Sequence, residues 1–411
     1  MPSNKYPILS KHCTLRYLET PLVYDIVNDQ LYELDLDAYE FLKKCDGSHT
    51  YEEITGRVNN QDAQELIEYA LKEGILEIHD TPKQRDINTA SPYKNVQAPL
   101  PSLRYLLIHL TTKCNLKCKH CYLASVERTA KLSEGNTMDS SLDLDTFKQV
   151  IKEFDEIQGL KVMLSGGEPL LHSQFWDFLD ILKLYKFRIV VLSNGTLIDG
   201  SVAKRLSDYV NEVQVSVDGI KSHDMLRGEG TFKKALSGIK FLKESGIEVS
   251  IASMVHKYNV SEFENMQKLF SDLEVCSWSV DVPCRTGNLK NNIDFVVDLK
   301  EAAKILNNYG FGVGAHESTG NYTCGSHICT IMPNGTICKC GFFADNPVGT
   351  VKDGLKKCWK KICKQYLWTV SELECRDCPR LQDCHGGCRY RAKDYGTSIL
   401  SPDPVLCNVF G

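Results

Sequence analysis

Three cysteines, Cys114, Cys118 and Cys121, stand at x3 and x2 spacing in Cys114-Asn115-Leu116-Lys117-Cys118-Lys119-His120-Cys121-Tyr122, just after the apolar run Tyr105 to Leu110. The run reads as a buried strand, so the thiols sit on the loop leaving its C-terminal end. Three thiolates suit a cube of four irons and leave one iron without a protein ligand, open to a substrate or cofactor. The alternatives are a zinc site and scattered core cysteines. A zinc site wants a fourth protein ligand close by in the pattern.

At 411 residues the chain holds two or three domains and a sizeable core. Its 42% apolar and 25% charged content is that of a soluble globular protein. No run is long enough to span a bilayer, and the N-terminus lacks a basic region followed by an apolar one. The expected location is therefore cytoplasmic, with no membrane partner. In a reducing cytoplasm, 18 cysteines point to metal sites rather than disulfides. A net charge of −5 gives no footprint for nucleic acid.

Strand patterns at Tyr105–Leu110, Leu160–Leu164, Arg188–Leu192, Val213–Val217, Glu248–Met254 and Cys276–Val280 alternate with helical stretches such as Asp145–Ile157, Gln174–Tyr185 and Thr231–Ser245. Six such units predict an α/β fold, a parallel sheet covered by helices and curled by right-handed crossovers into a partial (β/α)6 TIM-like barrel. Ligands in such a fold bind where the strands end. The second strand ends in Ser165-Gly166-Gly167-Glu168-Pro169, the third in Ser193-Asn194-Gly195 and the fourth in Ser216-Val217-Asp218-Gly219. Glycines let a backbone approach its neighbour closely. A plain turn is the other reading of each motif, strongest for Asn194 and Asp218 beside glycine.

With Cx3Cx2C after one strand and Gly-Gly-Glu-Pro after the next, the chain resembles the radical S-adenosylmethionine (SAM) superfamily. The resemblance implies that the unique iron chelates SAM. One electron then cleaves SAM to methionine and a 5′-deoxyadenosyl radical, which abstracts a substrate hydrogen. It further implies SAM contacts from Gly166, Gly167, Glu168 (to the ammonium), Ser193, Asn194, Ser216 and Arg227 (to the carboxylate), with His120 beside them. Cys284 lies just past the sixth strand, where a thiol can return a hydrogen atom to a substrate radical; an incidental loop residue is the plainer reading.

Residues 1–80 read as short strands around an Asn28-Asp29 turn, then helices Asp37–Lys44, Thr50–Arg57 and Asp62–Lys72, then a wing strand Ile75–Ile78. Thr50 and Glu53 form a capping-box pattern. This winged-helix-like domain carries 16 acidic and 7 basic residues, a net −9 that would repel DNA. It resembles the RiPP recognition element, in Leu36-Asp37-Ala38, Cys45-Asp46-Gly47, Thr50 to Ile54 and Glu73-Gly74-Ile75-Leu76. The resemblance implies that the leader of a ribosomal precursor peptide adds a strand to the sheet edge. The acidic surplus suggests a basic leader. A structural cap and another partner-binding role are the alternatives. Residues 81–103, with Pro82, Pro92, Pro99 and Pro101, read as a linker, followed by the barrel at 104–310.

Residues 311–411 read as a cysteine-rich, cluster-binding domain: Cys324-x10-Gly335-x4-Cys340, then Cys375-x2-Cys378-x5-Cys384-x3-Cys388, then Cys407. Two zinc sites are the alternative. The pattern resembles the SPASM extension, which implies two auxiliary 4Fe–4S clusters, three in all and roughly twelve irons. By position, one cluster takes Cys324, Cys340 and Cys388, with Cys329 or Cys338 as fourth ligand or an iron open to a substrate thiolate. The other takes Cys375, Cys378, Cys384 and Cys407. Cys13, Cys45, Cys276, Cys358 and Cys363 fit neither pattern and read as small buried residues.

The implied function is a peptide maturase that crosslinks its precursor, through a cysteine thioether as in sactipeptide and ranthipeptide maturases. An electron donor such as flavodoxin or ferredoxin is the implied second partner. Other outcomes are a carbon–carbon or carbon–oxygen link, epimerisation, a small-molecule substrate, and sulfatase-type formylglycine formation. Sulfatase-maturing enzymes carry an Asp base after the cysteine matching Cys340, and here that position is Gly341. A non-catalytic peptide-binding role conflicts with the intact Cys114, Cys118, Cys121 and Gly-Gly-Glu motifs.

Overall fold

The structure, a computed structural model, describes residues 4–56, 61–83, 96–123, 140–310 and 320–410. It divides into two compact units: residues 1–104 with 151–160 and 181–188, and residues 105–150, 161–180 and 189–411. No helix among the described residues is long and apolar enough to cross a membrane.

In the first unit, β2 (Cys13–Tyr17), β3 (Pro21–Asp25) and β4 (Gln30–Glu33) form an antiparallel meander. Its second turn forms because the Asp25 carboxylate accepts from the Val27 and Asn28 N–H groups at 2.9 and 3.0 Å, with Asp29 left-handed at φ 55°. Helices Leu36–Leu42, Tyr51–Thr55 and Gln61–Lys72 follow. The capping box is formed: Thr50 Oγ1 accepts from Glu53 N at 3.3 Å, and the Glu53 carboxylate from Thr50 N at 2.7 Å. Arg57, the expected end of that helix, lies outside the described residues. Leu15, Val23, Tyr39, Leu42, Ile67 and Leu76 share one core.

The expected wing strand is β5 (Leu76–His79), and it pairs antiparallel with β1 (Tyr6–Leu9). The sequence pattern missed β1: four residues with Pro7 among them give too short a signal, although proline is tolerated on such an edge. Of the expected linker, residues 84–95 lie outside the described set. Its end is packed, not loose. Ala98 joins a core cluster with Leu18, Leu22 and Tyr24, and Ser102 Oγ donates to the Glu19 carboxylate at 2.9 Å.

The second unit is built on a nine-stranded sheet in the order β11-β10-β9-β8-β7-β6-β12-β13-β14. Strands β6 (Tyr105–His109), β7 (Lys161–Ser165), β8 (Arg188–Ser193), β9 (Glu212–Ser216), β10 (Glu248–Met254) and β11 (Ser277–Asp281) lie side by side in chain order. The pairings β6–β7, β8–β9, β9–β10 and β10–β11 are parallel. This is the parallel sheet of a partial barrel. Helices Leu144–Glu156, Phe175–Leu182, Gly200–Leu206, Thr231–Glu244 and Phe263–Asp272 lie between the strands in sequence. Phe147 and Phe178, both fully buried, meet with tilted rings, centroids 4.4 Å apart, between two of these helices.

The cysteine-rich end does not make a sheet of its own. Strand β12 (Ile328–Ile331) pairs parallel with β6, and β13 (Thr336–Cys338) and β14 (Gly349–Thr350) continue antiparallel from it. The last helix, Pro404–Phe410, packs on Leu299–Tyr309, and Val405 enters the core of Phe263 and Val280.

Candidate functional site

The cysteine loop leaves the C-terminal end of β6 and is pinned from three sides. From the turn after β7, Gly167 N donates to Thr111 O at 2.7 Å and Glu168 N to Lys113 O at 2.8 Å. From the helix His223–Arg227, Leu226 O accepts from Lys119 N at 2.9 Å. From the turn after β11, Asn288 N donates to Cys121 O at 2.9 Å and Asn288 Nδ2 to Cys118 O at 3.0 Å. Sequence reasoning missed Asn288; its only signal was a Gly-Asn turn.

The two glycines after β7 have a structural reason beyond cofactor approach. A Cβ on Gly166, which sits at φ +138°, would lie 2.5 Å from Thr111 O, and one on Gly167 would lie 2.2 Å from Lys113 O. Only glycine lets the two exit chains lie this close.

Cys114 is exposed, Cys121 half-buried and Cys118 buried. Their charges are felt mutually, so the three thiols are neighbours. Burial pushes the Cys114 thiol up to about 11. As free thiols these groups hold their protons, and a metal must displace them.

Glu168 is fully buried at the end of β7. Its Oε1 accepts from Ser193 Oγ and its Oε2 from Asn194 N, both at 2.9 Å. Burial pushes its carboxyl up to about 7, against the pull of those two hydrogen bonds. Asn194 Nδ2 reaches the cysteine loop, donating to Asn115 Oδ1 at 2.9 Å with Cys114 Sγ at 4.0 Å. Glu168, Ser193 and Asn194 thus form one network beside Cys114. Ser216 ends β9 half-buried, outside that network.

Asp218 is fully buried. Its carboxylate accepts from Arg227 Nε and, at 2.7 Å, from Met254 N. Burial opposes its ionisation, yet Arg227 with the nearby histidines holds it well below the usual carboxylate range. The guanidinium goes on to Cys118 Sγ at 4.0 Å and His120 Nε2 at 3.5 Å. Burial, then Arg227, push His120 down to about 3, so its imidazole is neutral. Arg227 therefore braces the cysteine loop, a role the sequence did not suggest.

The C-terminal cysteines gather in two sets. Cys388 has Cys284 and Cys324 as electrostatic neighbours, and Cys340 lies beside Cys388. Cys324, Cys340, Cys384 and Cys388 line a cavity of about 310 Å³ with Lys339 and Phe342. Cys407 has Cys375, Cys384 and Cys378 as electrostatic neighbours. The x3 segment between Cys384 and Cys388 is His385-Gly386-Gly387, left-handed throughout at φ 44°, 78° and 68°. A Cβ on Gly387 would lie 2.5 Å from the Asp403 carboxylate. That carboxylate accepts from Cys388 N at 2.9 Å and grips Arg391 at 2.7–3.0 Å.

Of the two sequence candidates for the fourth ligand of the Cys324 set, Cys338 is an electrostatic neighbour of Cys340. Cys329 is fully buried on β12, paired with Leu106 of β6, and its neighbours are Lys339, Cys358 and Cys363. Cys338 turns to Thr330 O, 3.7 Å away. Cys284 is a further thiol beside Cys388. Its distance of 40 residues from Cys324 hid this from any spacing rule. Of the leftover cysteines, Cys13, Cys45 and Cys358 are buried as expected, but Cys276 is exposed and Cys363 half-buried. At Gly341 an added Cβ would sit 2.8 Å from the Tyr122 ring, so an Asp there would require that ring to shift.

The donor sets are thiols throughout, which suits iron–sulfur clusters and zinc alike. The loop set of Cys114, Cys118 and Cys121 offers three thiols beside the buried carboxylate of Glu168, a fit for a cluster with one iron open to a cofactor that carries an ammonium.

Residues 108–270 match the Radical SAM superfamily. The chain is 25% identical to an AdoMet-dependent heme synthase of Oleidesulfovibrio alaskensis, over 74% of this chain and 87% of that one. It is 26% identical to the mycofactocin maturase MftC of Mycolicibacterium smegmatis, over 74% and 82%. The fold is similar to Streptococcus suis SuiB bound to its precursor peptide SuiA, with a TM-score of 0.69 at 18% identity, covering 97% of this chain and 99% of that one.

Asp218→Asn strips the counter-charge from a buried guanidinium and is expected to destabilise the protein by about 3–5 kcal/mol. Urea unfolding of the anaerobically prepared protein measures it. A loss below about 1 kcal/mol, the range of an exposed pair, would mean that solvent already screens Arg227.

Proposed function

Given that this chain is a radical SAM enzyme, we propose that it is a peptide maturase, which holds the leader of a ribosomal precursor on its first unit and installs an intramolecular crosslink in the core segment. The observation that carries this reading is the open edge of β4. Among the described strands β4 pairs only with β3. Beside that edge, Tyr32 meets the half-exposed Tyr69 of the helix Gln61–Lys72, edge to face at 6.5 Å. An extended peptide can add backbone hydrogen bonds to such an edge and lay side chains against the helix. The likeness to peptide-bound SuiB over 97% of the chain supports the same reading. Relatives named as heme synthases support the small-molecule alternative.

A 4Fe–4S cluster on Cys114, Cys118 and Cys121, with SAM bound to it, would supply a hydrogen-abstracting radical. The chain's own residues prepare that place. Glu168 receives the SAM ammonium through a charge-assisted hydrogen bond. Ser193 and Asn194 orient the Glu168 carboxylate, and Arg227 holds Cys118 and His120. Cys284, Cys324, Cys340 and Cys388 make a closed set of four thiols, and Cys375, Cys378, Cys384 and Cys407 a second. A closed first set leaves no iron for a substrate thiolate, and it makes Cys284 a ligand instead of a hydrogen donor. Both sets then serve electron transfer. Thioether formation is the preferred crosslink, because related peptide maturases most often make it.

Two outcomes follow. Glu168 is ionised only above about pH 7. SAM affinity is therefore expected to rise about tenfold from about pH 6 to about pH 8 and to be weak and flat in Glu168→Gln. Equilibrium binding of SAM to the reconstituted protein reads this; a flat wild-type profile removes Glu168 from the ammonium. For the reaction, mass spectrometry follows a cysteine-bearing precursor peptide encoded beside the gene, after anaerobic incubation with SAM and reductant. The expected product has lost two hydrogens and one alkylatable thiol. Loss of two hydrogens with every thiol retained replaces the thioether by a carbon–carbon or carbon–oxygen link. An untouched peptide while SAM is cleaved returns the choice to a small molecule.

A further inference from the structure

The helix Leu355–Tyr366 buries Leu355, Cys358, Trp359 and Ile362 and turns its other side to solvent. That outer side is a lysine face: Lys352 just before the helix, then Lys356, Lys357, Lys360 and Lys364, are all exposed. Among the described residues, the only ion pair on the face joins Lys357 to Asp353 at 4.0 Å. The arrangement works against the helix. Lys356/Lys360 and Lys360/Lys364 set like charges at i and i+4, which destabilises a helix. Lys356 and Lys357 occupy its first turn, where the macrodipole is already positive. The whole chain carries −5, so the patch also opposes the sign of the rest. A solvated face needs charge, but not one sign in these positions.

What lies behind the helix selects the partner. Its inner side packs on β13 and β14, and β13 runs directly into Lys339-Cys340. Cys363 of the helix is an electrostatic neighbour of the buried Lys339, whose ammonium donates to Gly325 O, next to Cys324. One helix width, about 10–12 Å with side chains, separates the lysine face from the strand that delivers Cys340.

We propose that this face docks an acidic one-electron carrier protein, which exchanges an electron with the Cys324/Cys340 site behind it. The exchange moves one electron: an iron–sulfur cluster held by the Cys324 set would give it up, the carrier's oxidised cofactor would take it, and no bond forms or breaks. The precursor peptide is a poorer fit here. Residues 1–80, at net −9, favour a basic segment, the opposite sign. Charge complementarity of this kind speeds encounter and weakens with salt.

The test titrates oxidised flavodoxin, as an acidic carrier, into the anaerobically reconstituted full chain at low and at physiological salt. The expected result is salt-sensitive binding. The triple variant K356E/K360E/K364E should weaken it at least about tenfold and remove most of its salt dependence. The milder K356Q/K360Q/K364Q, which spares the buried face, should give an intermediate loss. SAM cleavage driven by dithionite should be unchanged in both, which separates a lost docking face from misfolding. The measurement reads binding only, so it stands whether or not the peptide reading does. Salt-insensitive or absent binding in the wild type, or equal affinity in wild type and triple variant, overturns the proposal. A triple variant that keeps flavodoxin but loses the precursor peptide also overturns it and gives the face to the peptide.

Discussion

Where β6 and β7 end, their exit chains run so close that neither Gly166 nor Gly167 has room for a side chain. The rest of the site depends on this contact. It locks Thr111 and Lys113, from which the cysteine loop springs, and sets Glu168 at the mouth of the sheet, within reach of Ser193 and Asn194. A larger residue at either position must push apart two backbones, not one flexible side chain, and overpacking of that kind typically costs about 1–3 kcal/mol. The parallel sheet supplies the ends; the glycines bring two of them into register as one site.

A second regularity concerns charge. Beside the loop set, Arg227 is gripped by the buried Asp218 and reaches Cys118 and His120. Beside the Cys324 set, Arg391 is gripped by the buried Asp403, reaches Asp281, and donates its backbone N–H to Cys388 Sγ at 3.5 Å. Buried pairs of this kind give little net stability, because desolvation offsets the attraction. Their value is placement: each fixes a cation next to a sulfur that becomes negative when it binds metal, and so favours the thiolate. Lys339, buried between Cys338 and Cys340, adds a second cation at the Cys324 set.

Much of this was legible in the sequence because it is local. The six barrel strands, the capping box at Thr50 and the cysteine spacings depend on neighbours within a few residues, and the structure places all of them within a residue or two of expectation. What failed was long-range. Cys284 joins Cys388 across about a hundred residues of chain, through the end of β11, and no period or motif encodes that. Cys329 misled for the opposite reason. Its spacing suits a ligand, but in β12, paired with Leu106, it is fully buried with Lys339, Cys358 and Cys363 as neighbours. Arg227 was read toward the cofactor from the resemblance alone; that Asp218, nine residues earlier and read as a turn former, is its buried counter-ion was not visible in the sequence.

We propose that thiols at three places in one chain hold three iron–sulfur clusters. The direct measurement is iron and acid-labile sulfide per chain after anaerobic reconstitution. Roughly twelve irons with a matching amount of sulfide is the predicted result, four for each cluster. About four irons, with zinc recovered at the two C-terminal sets, would contradict the account there and reduce those sets to structural metal sites.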